Sequence, residues 1–230
     1  MNPERPRAAV VIPAGGAGRR MGGIRKQYME LAGTPLLLHA LRPFLDHPMV
    51  DTVVVALPEE DMANPPLFLP AGVTVVAGGA ERGDSVRLAL EAVPDSVDIV
   101  LIHDAARPLL TRDLVDRTIE AALGGVGAVA AVPVPDTLKQ VDADGFVRAT
   151  VDRTGLWRAQ TPQAFPRRMI VDAYARAQAD EVVATDDAAL VERYGGLVVV
   201  VHGSARNLKV TTPEDLRIAE RLLGEAEVPG

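Results

Sequence analysis

The 230-residue sequence predicts an α/β protein with a doubly wound, mostly parallel sheet. Short apolar runs alternate with segments of helical spacing along most of the chain. Most of the runs are continuously apolar, which is typical of strands covered on both faces. A glycine-rich loop directly follows the first run. Crossovers between the parallel strands should be right-handed.

Each predicted element has its own pattern. Predicted strands are the apolar runs at residues 8–12, 51–57, 73–78, 97–103, 128–134 and 197–203. Predicted helices have apolar residues at i, i+3 and i+4 spacing, at residues 35–47, 85–93 and 112–123. The tail from Asn207 should form a short strand, a turn and a helix, with Thr212 as N-cap and Pro213 at the first helical position.

Residues 137–152 interrupt this alternation. Asp144-Gly145 is a strong hairpin-turn signal between two short strands of alternating pattern. A two-stranded ribbon is only marginally stable by itself. We therefore expect a projecting β-arm at about 135–155 that packs on a second subunit, with a flap folded back on its own domain as the alternative. Residues 1–230 should otherwise form a single domain.

Composition excludes several classes of protein. The chain is 48% hydrophobic with a net charge of −7, which is ordinary for a globular protein and argues against a nucleic-acid partner. It has no cysteine, so disulfides and thiolate catalysis are excluded. No run is as long as a membrane span, and the first apolar run is too short for a signal peptide. We expect a cytoplasmic protein without a membrane partner.

The loop after the first predicted strand combines glycine with positive charge. Its spacing matches neither the dinucleotide fingerprint nor the P-loop. Glycine lets backbone N–H groups approach a phosphate closely, and arginine can bind a phosphate with two hydrogen bonds. The residues concerned are Gly15, Gly16, Gly18, Arg19, Arg20, Arg25 and Lys26. The pattern predicts a phosphate site, with a solvated basic loop as the alternative.

An acidic residue, Asp104, follows the predicted strand 97–103. In an open parallel sheet this places it at the same carboxyl edge as the glycine loop. A carboxylate facing phosphates is typical of a Mg²⁺ site, since Mg²⁺ uses one or two carboxylates together with phosphate oxygens. The alternative is that Asp104 caps a turn. Arg107 could pair with Asp104 or bind a second anion, and we expect His103 to be structural.

The motifs together resemble those of the 2-C-methyl-D-erythritol 4-phosphate cytidylyltransferases, enzymes of the non-mevalonate isoprenoid pathway. The resemblance runs from about Ala8 to Leu223. It lies in PAGGAGRRM (13–21), KQY (26–28), GGAERGDSV (78–86), HDAARP (103–108), DTLK (136–139), TVDRTGLWRAQTPQAF (150–165), TDDA (185–188) and NLKVTTPEDL (207–216). It implies a Rossmann-like nucleotidyltransferase fold and the transfer of CMP from CTP to methylerythritol 4-phosphate, with release of pyrophosphate.

The resemblance also implies roles for individual residues. Those that act on the CTP phosphates would be Arg20, Lys26 and Lys209. Those of the CTP site would be Ala14, Gly15, Gly16, Gly18, Gly79, Ser85 and Asp104, with Mg²⁺ held by Asp104. Those that bind the acceptor would be Arg107, Thr137, Arg153 and Thr161. Thr137 and Arg153, on or beside the arm, would serve the partner's site in a homodimer.

The implied chemistry needs no catalytic serine, cysteine or histidine. Its nucleophile is a phosphate monoester oxygen, which is largely ionised at neutral pH because the second pKa is about 6. Two positions depart from the family's usual pattern: Arg25 replaces a proline, and Ala80 replaces a frequent aspartate, which leaves the strictness for CTP open.

Two other functions stay open on the sequence. One is a cytidylyltransferase acting on another polyol phosphate, such as ribitol 5-phosphate. The other is a nucleotide-binding regulator without catalysis, which would not need Arg20, Lys26, Asp104 and Lys209 together. The length leads us to expect no fused cyclodiphosphate synthase.

Overall fold

The computed structural model describes residues 5–15 and 25–226. Its strands are β1 (Ala8–Pro13), β2 (Glu30–Leu31), β3 (Thr34–Pro35), β4 (Val50–Leu57), β5 (Val73–Ala77), β6 (Ile99–Ile102), β7 (Gly127–Pro133), β8 (Leu138–Val141), β9 (Val147–Val151), β10 (Trp157–Pro166) and β11 (Val198–His202). Its helices are α1 (Leu36–Leu45), α2 (Arg82–Glu91), α3 (Arg112–Leu123), α4 (Arg167–Ala179), α5 (Asp187–Arg193) and α6 (Pro213–Ala226).

The central sheet confirms the predicted fold class. Among the described residues its strand order is β11-β7-β10-β6-β1-β4-β5. All neighbouring pairs are parallel except those that β10 makes with β6 and β7. The sheet is therefore mostly parallel, with one antiparallel strand between two parallel ones.

Helices bury apolar surface on both faces of this sheet. On β1, Val10 packs in a core that includes α1 and α3 residues such as Phe44. Val11, the next residue, packs in a second core that includes α2 and α4 residues such as Val86. Successive side chains of a strand point to opposite faces, so one apolar run supplies both cores.

The two edges of the sheet differ from the prediction of strands covered on both faces. On β11, Val199 and Val200 are 41% and 47% exposed. β5 is only partly buried along its length. An edge strand has a neighbour on one side only, so its apolar composition does not guarantee burial.

β10 and the helices α4 and α5 were not predicted. β10 contains polar residues at positions 160, 161 and 163, which obscured its apolar pattern, yet all three are buried and hydrogen-bonded. The short strand predicted after Asn207 is wrong. That segment lies outside the sheet. It is attached to the loop after β6 by a backbone hydrogen bond from Val210 N to the carbonyl of Ala106, at 2.8 Å.

Helix boundaries follow their capping residues. α2 begins three residues before the predicted start, because Glu81 and Asp84 form a reciprocal capping box ahead of the apolar pattern. α6 begins at Pro213 as predicted, and the Thr212 hydroxyl accepts a hydrogen bond from Asp215 N at 3.1 Å.

The segment at the predicted arm forms an antiparallel pair, β8 and β9, separate from the central sheet. Every residue of both strands is exposed. Gly145 has a φ of +85°, a left-handed conformation that favours glycine. Packing of the arm on a second subunit stays a prediction.

Within residues 5–15 and 25–226, no helix combines the length and the apolar character needed to cross a bilayer.

Candidate active site

The carboxyl ends of the parallel strands bring several of the predicted site residues to one edge of the sheet. Ala14 follows β1, Gly79 lies two residues after β5, and Asp104 lies two residues after β6. Such an edge is where open α/β sheets bind ligands.

One part of this edge is a floor of glycine backbone around Ser85. Ser85 Oγ accepts a hydrogen bond from Gly79 N at 3.1 Å and donates to the carbonyl of Glu81 at 3.2 Å. A Cβ on Gly15 would lie 3.1 Å from Ser85 Oγ, and one on Gly79 would lie 2.2 Å from Asp84 Cβ. Glycine is therefore required at position 79.

Gly78 belongs to the same floor and was not predicted as a site residue. A Cβ there would lie 2.9 Å from Ser85 Oγ and 3.3 Å from Gly15 Cα. The Gly78-Gly79 pair at the end of a strand was the available sequence signal. The two loops approach each other closely here because Gly15 and Gly78 have no side chains.

A short 3₁₀ turn at Lys26–Tyr28 connects this floor to the C-terminal segment. The buried Gln27 donates from Nε2 to the carbonyl of Ala14 at 2.7 Å. The adjacent Lys26 directs Nζ to the carbonyl of Thr211, at 3.2 Å. Gln27 thus fixes the turn against β1, and Lys26 approaches the segment that contains Lys209.

Asp104 is the centre of a second, charged part. Its Oδ1 accepts from Arg82 Nε at 3.0 Å, and its Oδ2 lies 2.8 Å from Lys209 Nζ. Only 7% of the residue is exposed. Burial alone would raise the pKa of this carboxyl, but the cations of Arg82 and Lys209 hold the pKa well below its usual range. Asp104 is therefore ionised at neutral pH.

Arg107 is buried beside this carboxylate. Its Nη1 donates to the carbonyl of Asn207 at 2.8 Å, and its Nε lies 3.6 Å from Asp104 Oδ2. That Nε is buried and has no hydrogen-bond partner among the described residues. Burial lowers the pKa of the guanidinium despite the neighbouring carboxylate. The neighbouring Asp104 carboxylate offsets part of the cost of burying this donor.

His103 and Thr161 hold the loop that contains Asp104. Thr161 Oγ1 accepts from Asp104 N at 3.0 Å and donates to His103 Nδ1 at 3.0 Å. His103 Nε2 donates to the carbonyl of Arg107 at 3.2 Å. Burial lowers the pKa of the fully buried His103 to about 4. The ring is therefore neutral, and both nitrogens hold the 103–107 loop.

These groups surround a cavity of about 310 Å³. Its lining consists of Arg82, Asp104, Arg107, Ala159, Gln160, Thr161, Gln163, Thr185, Asp186 and Lys209. A larger cavity of about 400 Å³ lies on the other side of Arg82 between α2 and α4. The smaller cavity is the candidate active site, because the converging cations and the Asp104 carboxylate line it.

Several predicted residues are not brought into this cavity. Gly16, Gly18 and Arg20 lie outside the described residues. Thr137 and Arg153 are exposed at the arm, outside the cavity lining, and Arg153 donates to the carbonyl of Pro135.

Arg25 differs from the suggestion that it contacts phosphate. Its Nη1 lies 2.5 Å from Asp61 Oδ1, and its Nη2 lies 2.5 Å from Glu60 Oε1. Tyr28 also donates to Asp61, at 2.5 Å. These contacts direct the guanidinium towards the loop after β4.

Sequence reasoning also missed Arg82 and Asp187 as members of the site network. Arg82 contacts both Asp104 and Asp187. Both residues lie within motifs noted above, GGAERGDSV and TDDA, but nothing in those motifs indicates that they pair.

Comparisons with known proteins identify the family of this chain. The family model described as 2-C-methyl-D-erythritol 4-phosphate cytidylyltransferase matches residues 8–225. Two similar proteins have that name: one from Syntrophus aciditrophicus is 44% identical over 97% of this chain and 98% of its own length, and one from Symbiobacterium thermophilum is 48% identical over 94% and 93%.

A solved structure is also similar. The crystal structure of 2-C-methyl-D-erythritol 4-phosphate cytidylyltransferase from Thermus thermophilus aligns with a TM-score of 0.82 at 39% identity. The alignment covers 94% of this chain and 98% of that one. Sequence and fold therefore point to the same family.

Proposed function

The chain belongs to the 2-C-methyl-D-erythritol 4-phosphate cytidylyltransferase family, and from that premise we propose how its cleft performs the family's reaction. The reaction transfers CMP from CTP to 2-C-methyl-D-erythritol 4-phosphate and releases pyrophosphate, in isoprenoid biosynthesis. The observation that supports our assignment of residues is the convergence of Arg82, Arg107 and Lys209 on Asp104, beside a glycine floor. We place the reaction in the cytoplasm.

The glycine floor is the proposed site of the cytosine. Gly15 and Gly79 have no side chains, which leaves room for a flat base, and Ser85 fixes the 79–81 loop beside Gly15. The neighbouring Ala80 has only a methyl side chain, so base contacts there come from backbone. Gly16, Gly18 and Arg20 complete the CTP site in this proposal.

Cations positioned at the α-phosphate supply the catalysis. A phosphate oxygen of the acceptor attacks the α-phosphorus of CTP, and the bond to pyrophosphate breaks on the opposite side. Lys26 Nζ lies at the carbonyl of Thr211 and Lys209 Nζ lies at Asp104, and in this proposal both cations offset the charge that develops. No base is needed, which agrees with a neutral His103 that has both nitrogens engaged.

Magnesium is the proposed cofactor, with Asp104 as its protein ligand. Residues 5–15 and 25–226 contain no group of three or more histidine and carboxylate residues that could hold a metal ion. Mg²⁺ does not need such a group, because one carboxylate with phosphate oxygens and water suffices. Asp104, ionised at the cleft, fits that donor set. Bound there, Mg²⁺ would offset the negative charge of the CTP phosphates.

The acceptor site is proposed to form between two subunits. Arg107 lines the cavity, and its guanidinium is suited to bind a phosphate oxygen. The Thr161 hydroxyl already holds His103 and Asp104, so Thr161 acts mainly by shaping this wall. Thr137 and Arg153 would complete the site from the arm of the second subunit.

Exposed apolar surface on the arm supports this homodimer. Val141, Phe146 and Val147 are 54%, 68% and 59% exposed, although they lie close together in one hairpin. Contiguous exposed apolar residues often mark a protein interface. A second subunit would bury them and stabilise a hairpin that is marginal by itself.

Replacing Lys209 tests the proposed chemistry. We expect Lys209→Ala to lower the single-turnover rate of pyrophosphate release by about 10²–10³-fold, as for loss of one preorganised charge-stabilising donor. The matched control is Arg217→Ala, which removes an exposed cation from α6. A near-normal rate for Lys209→Ala would exclude its role.

A further inference from the structure

Asp187 is a fully buried acid to which the reaction above assigns no task. It is the first residue of α5 and has no solvent exposure. A buried carboxylate is costly unless it is paired and hydrogen-bonded. Its partners therefore indicate what it does.

Those partners lead to the active site. Asp187 Oδ1 and Oδ2 accept from Arg82 Nη1 and Nη2, at 3.1 and 2.7 Å. Tyr174 Oη donates to Asp187 Oδ1 at 2.5 Å. The Nε of the same guanidinium donates to Asp104 Oδ1 at 3.0 Å. One arginine thus connects the buried acid to the acid of the cleft.

The backbone around Asp187 is fixed to the sheet. Its neighbour Asp186 caps α5 by accepting from Ala189 N at 2.9 Å, and it also accepts from Gln163 Nε2 at 2.9 Å. Gln163 Oε1 in turn accepts from Ala188 N at 2.9 Å. Gln163 belongs to β10, so Asp187 has a defined position relative to the cleft.

We propose that Asp187 is a positioning residue that acts on Asp104 through Arg82. By engaging both Nη groups, Asp187 leaves only Nε of Arg82 for Asp104. Without Asp187, the guanidinium is free to turn and bind the Asp104 carboxylate with two hydrogen bonds, the geometry arginine favours. Arg82 would then also take the Asp104 Oδ2 that Lys209 now contacts, and Asp104 would be less able to hold a divalent cation on CTP. The inference rests on the proposed role of Asp104.

The test begins with Asp187→Asn, which keeps the size of the side chain and removes its charge. We expect kcat to fall about 10–100-fold, as when a group that orients a metal ligand is lost. KM for the acceptor should stay within about twofold, because Arg107 and the arm are untouched. Calorimetry of CTP binding with Mg²⁺ and with EDTA gives a second readout: the gain in affinity due to Mg²⁺ should shrink in the variant.

A double-mutant cycle separates positioning from general destabilisation. If Asp187 acts through Arg82, adding Asp187→Asn to Arg82→Gln should lower kcat no further. Independent, multiplying losses would overturn the proposal. The control for lost stability is Thr118→Val in α3. It removes a buried hydrogen bond from the Thr118 hydroxyl to the carbonyl of Leu114 and should leave kcat unchanged.

Two parallel variants make every outcome decisive. A fully active Asp104→Asn would overturn the proposed role of Asp104 itself. An inactive Asp104→Asn together with wild-type kcat and Mg²⁺ dependence in Asp187→Asn would overturn only the inference. Should Asp187→Asn fail to fold, Tyr174→Phe decides: a fall in kcat of about threefold or more supports positioning, and wild-type kcat overturns it.

Discussion

His103 shows how a single buried residue connects the site to stability. Burial lowers its pKa to about 4, whereas an unfolded histidine titrates near 6.5. Between these values the unfolded chain binds a proton that the folded protein excludes. The free energy of unfolding should therefore fall as the pH drops from about 6.5 to about 4, with about 2–3 kcal/mol lost to His103.

Urea denaturation at pH 7 and pH 4.5, in EDTA, measures this loss. His103→Gln keeps a donor and an acceptor but does not titrate, so it should lose less stability over the same range. An equal loss in wild type and variant would show that His103 is not the group responsible.

Arg25 illustrates a residue whose environment the sequence did not indicate. Its partners Glu60 and Asp61 lie 35 and 36 positions away, in a short 3₁₀ turn without a recognisable sequence pattern. Because these acids hold the guanidinium, Arg25→Ala should change KM for CTP by no more than about twofold, as expected for a partly exposed ion pair. Steady-state kinetics check this, and a tenfold rise in KM for CTP would instead support a contact between Arg25 and phosphate.

At the scale of elements, parallel strands were predictable and β10 was not. Continuous apolar runs identified β1 and β4, since burial on both faces requires them. β10 hides its pattern because Gln160, Thr161 and Gln163 are buried with polar partners that only the fold supplies. For the same reason, the sequence predicts only some of the charged residues of the site. Asp104 was recognisable at the end of a strand, but Arg82 and Asp187 are 105 positions apart.

The arm is the element whose role can be tested by removal. Replacing residues 138–151 with a short Gly-Ser linker keeps Thr137 and Arg153 in the chain but removes the exposed apolar hairpin. We expect sedimentation analysis to show a monomer and the assay to show little activity, because the acceptor site loses its second half. A fully active monomer would contradict the shared site.

At the scale of the whole molecule, two inactive variants should complement each other. In a mixture of Arg153→Ala and Lys209→Ala, a hybrid dimer contains one cleft with both residues intact. Statistical exchange of subunits should then restore about a quarter of wild-type activity, since half the dimers are hybrids with one intact site each. Activity no higher than that of the separate variants would place Arg153 and Lys209 in the same subunit's site.

Pyrophosphate release from CTP and Mg²⁺ tests the function of the molecule most directly, with 2-C-methyl-D-erythritol 4-phosphate and ribitol 5-phosphate compared as acceptors. We expect rapid release with methylerythritol phosphate and little with ribitol phosphate. Rapid release with ribitol phosphate alone would contradict the assigned acceptor and the roles of Arg107, Thr137, Arg153 and Thr161. No pyrophosphate release with either acceptor, in a folded protein that binds CTP, would contradict catalysis itself.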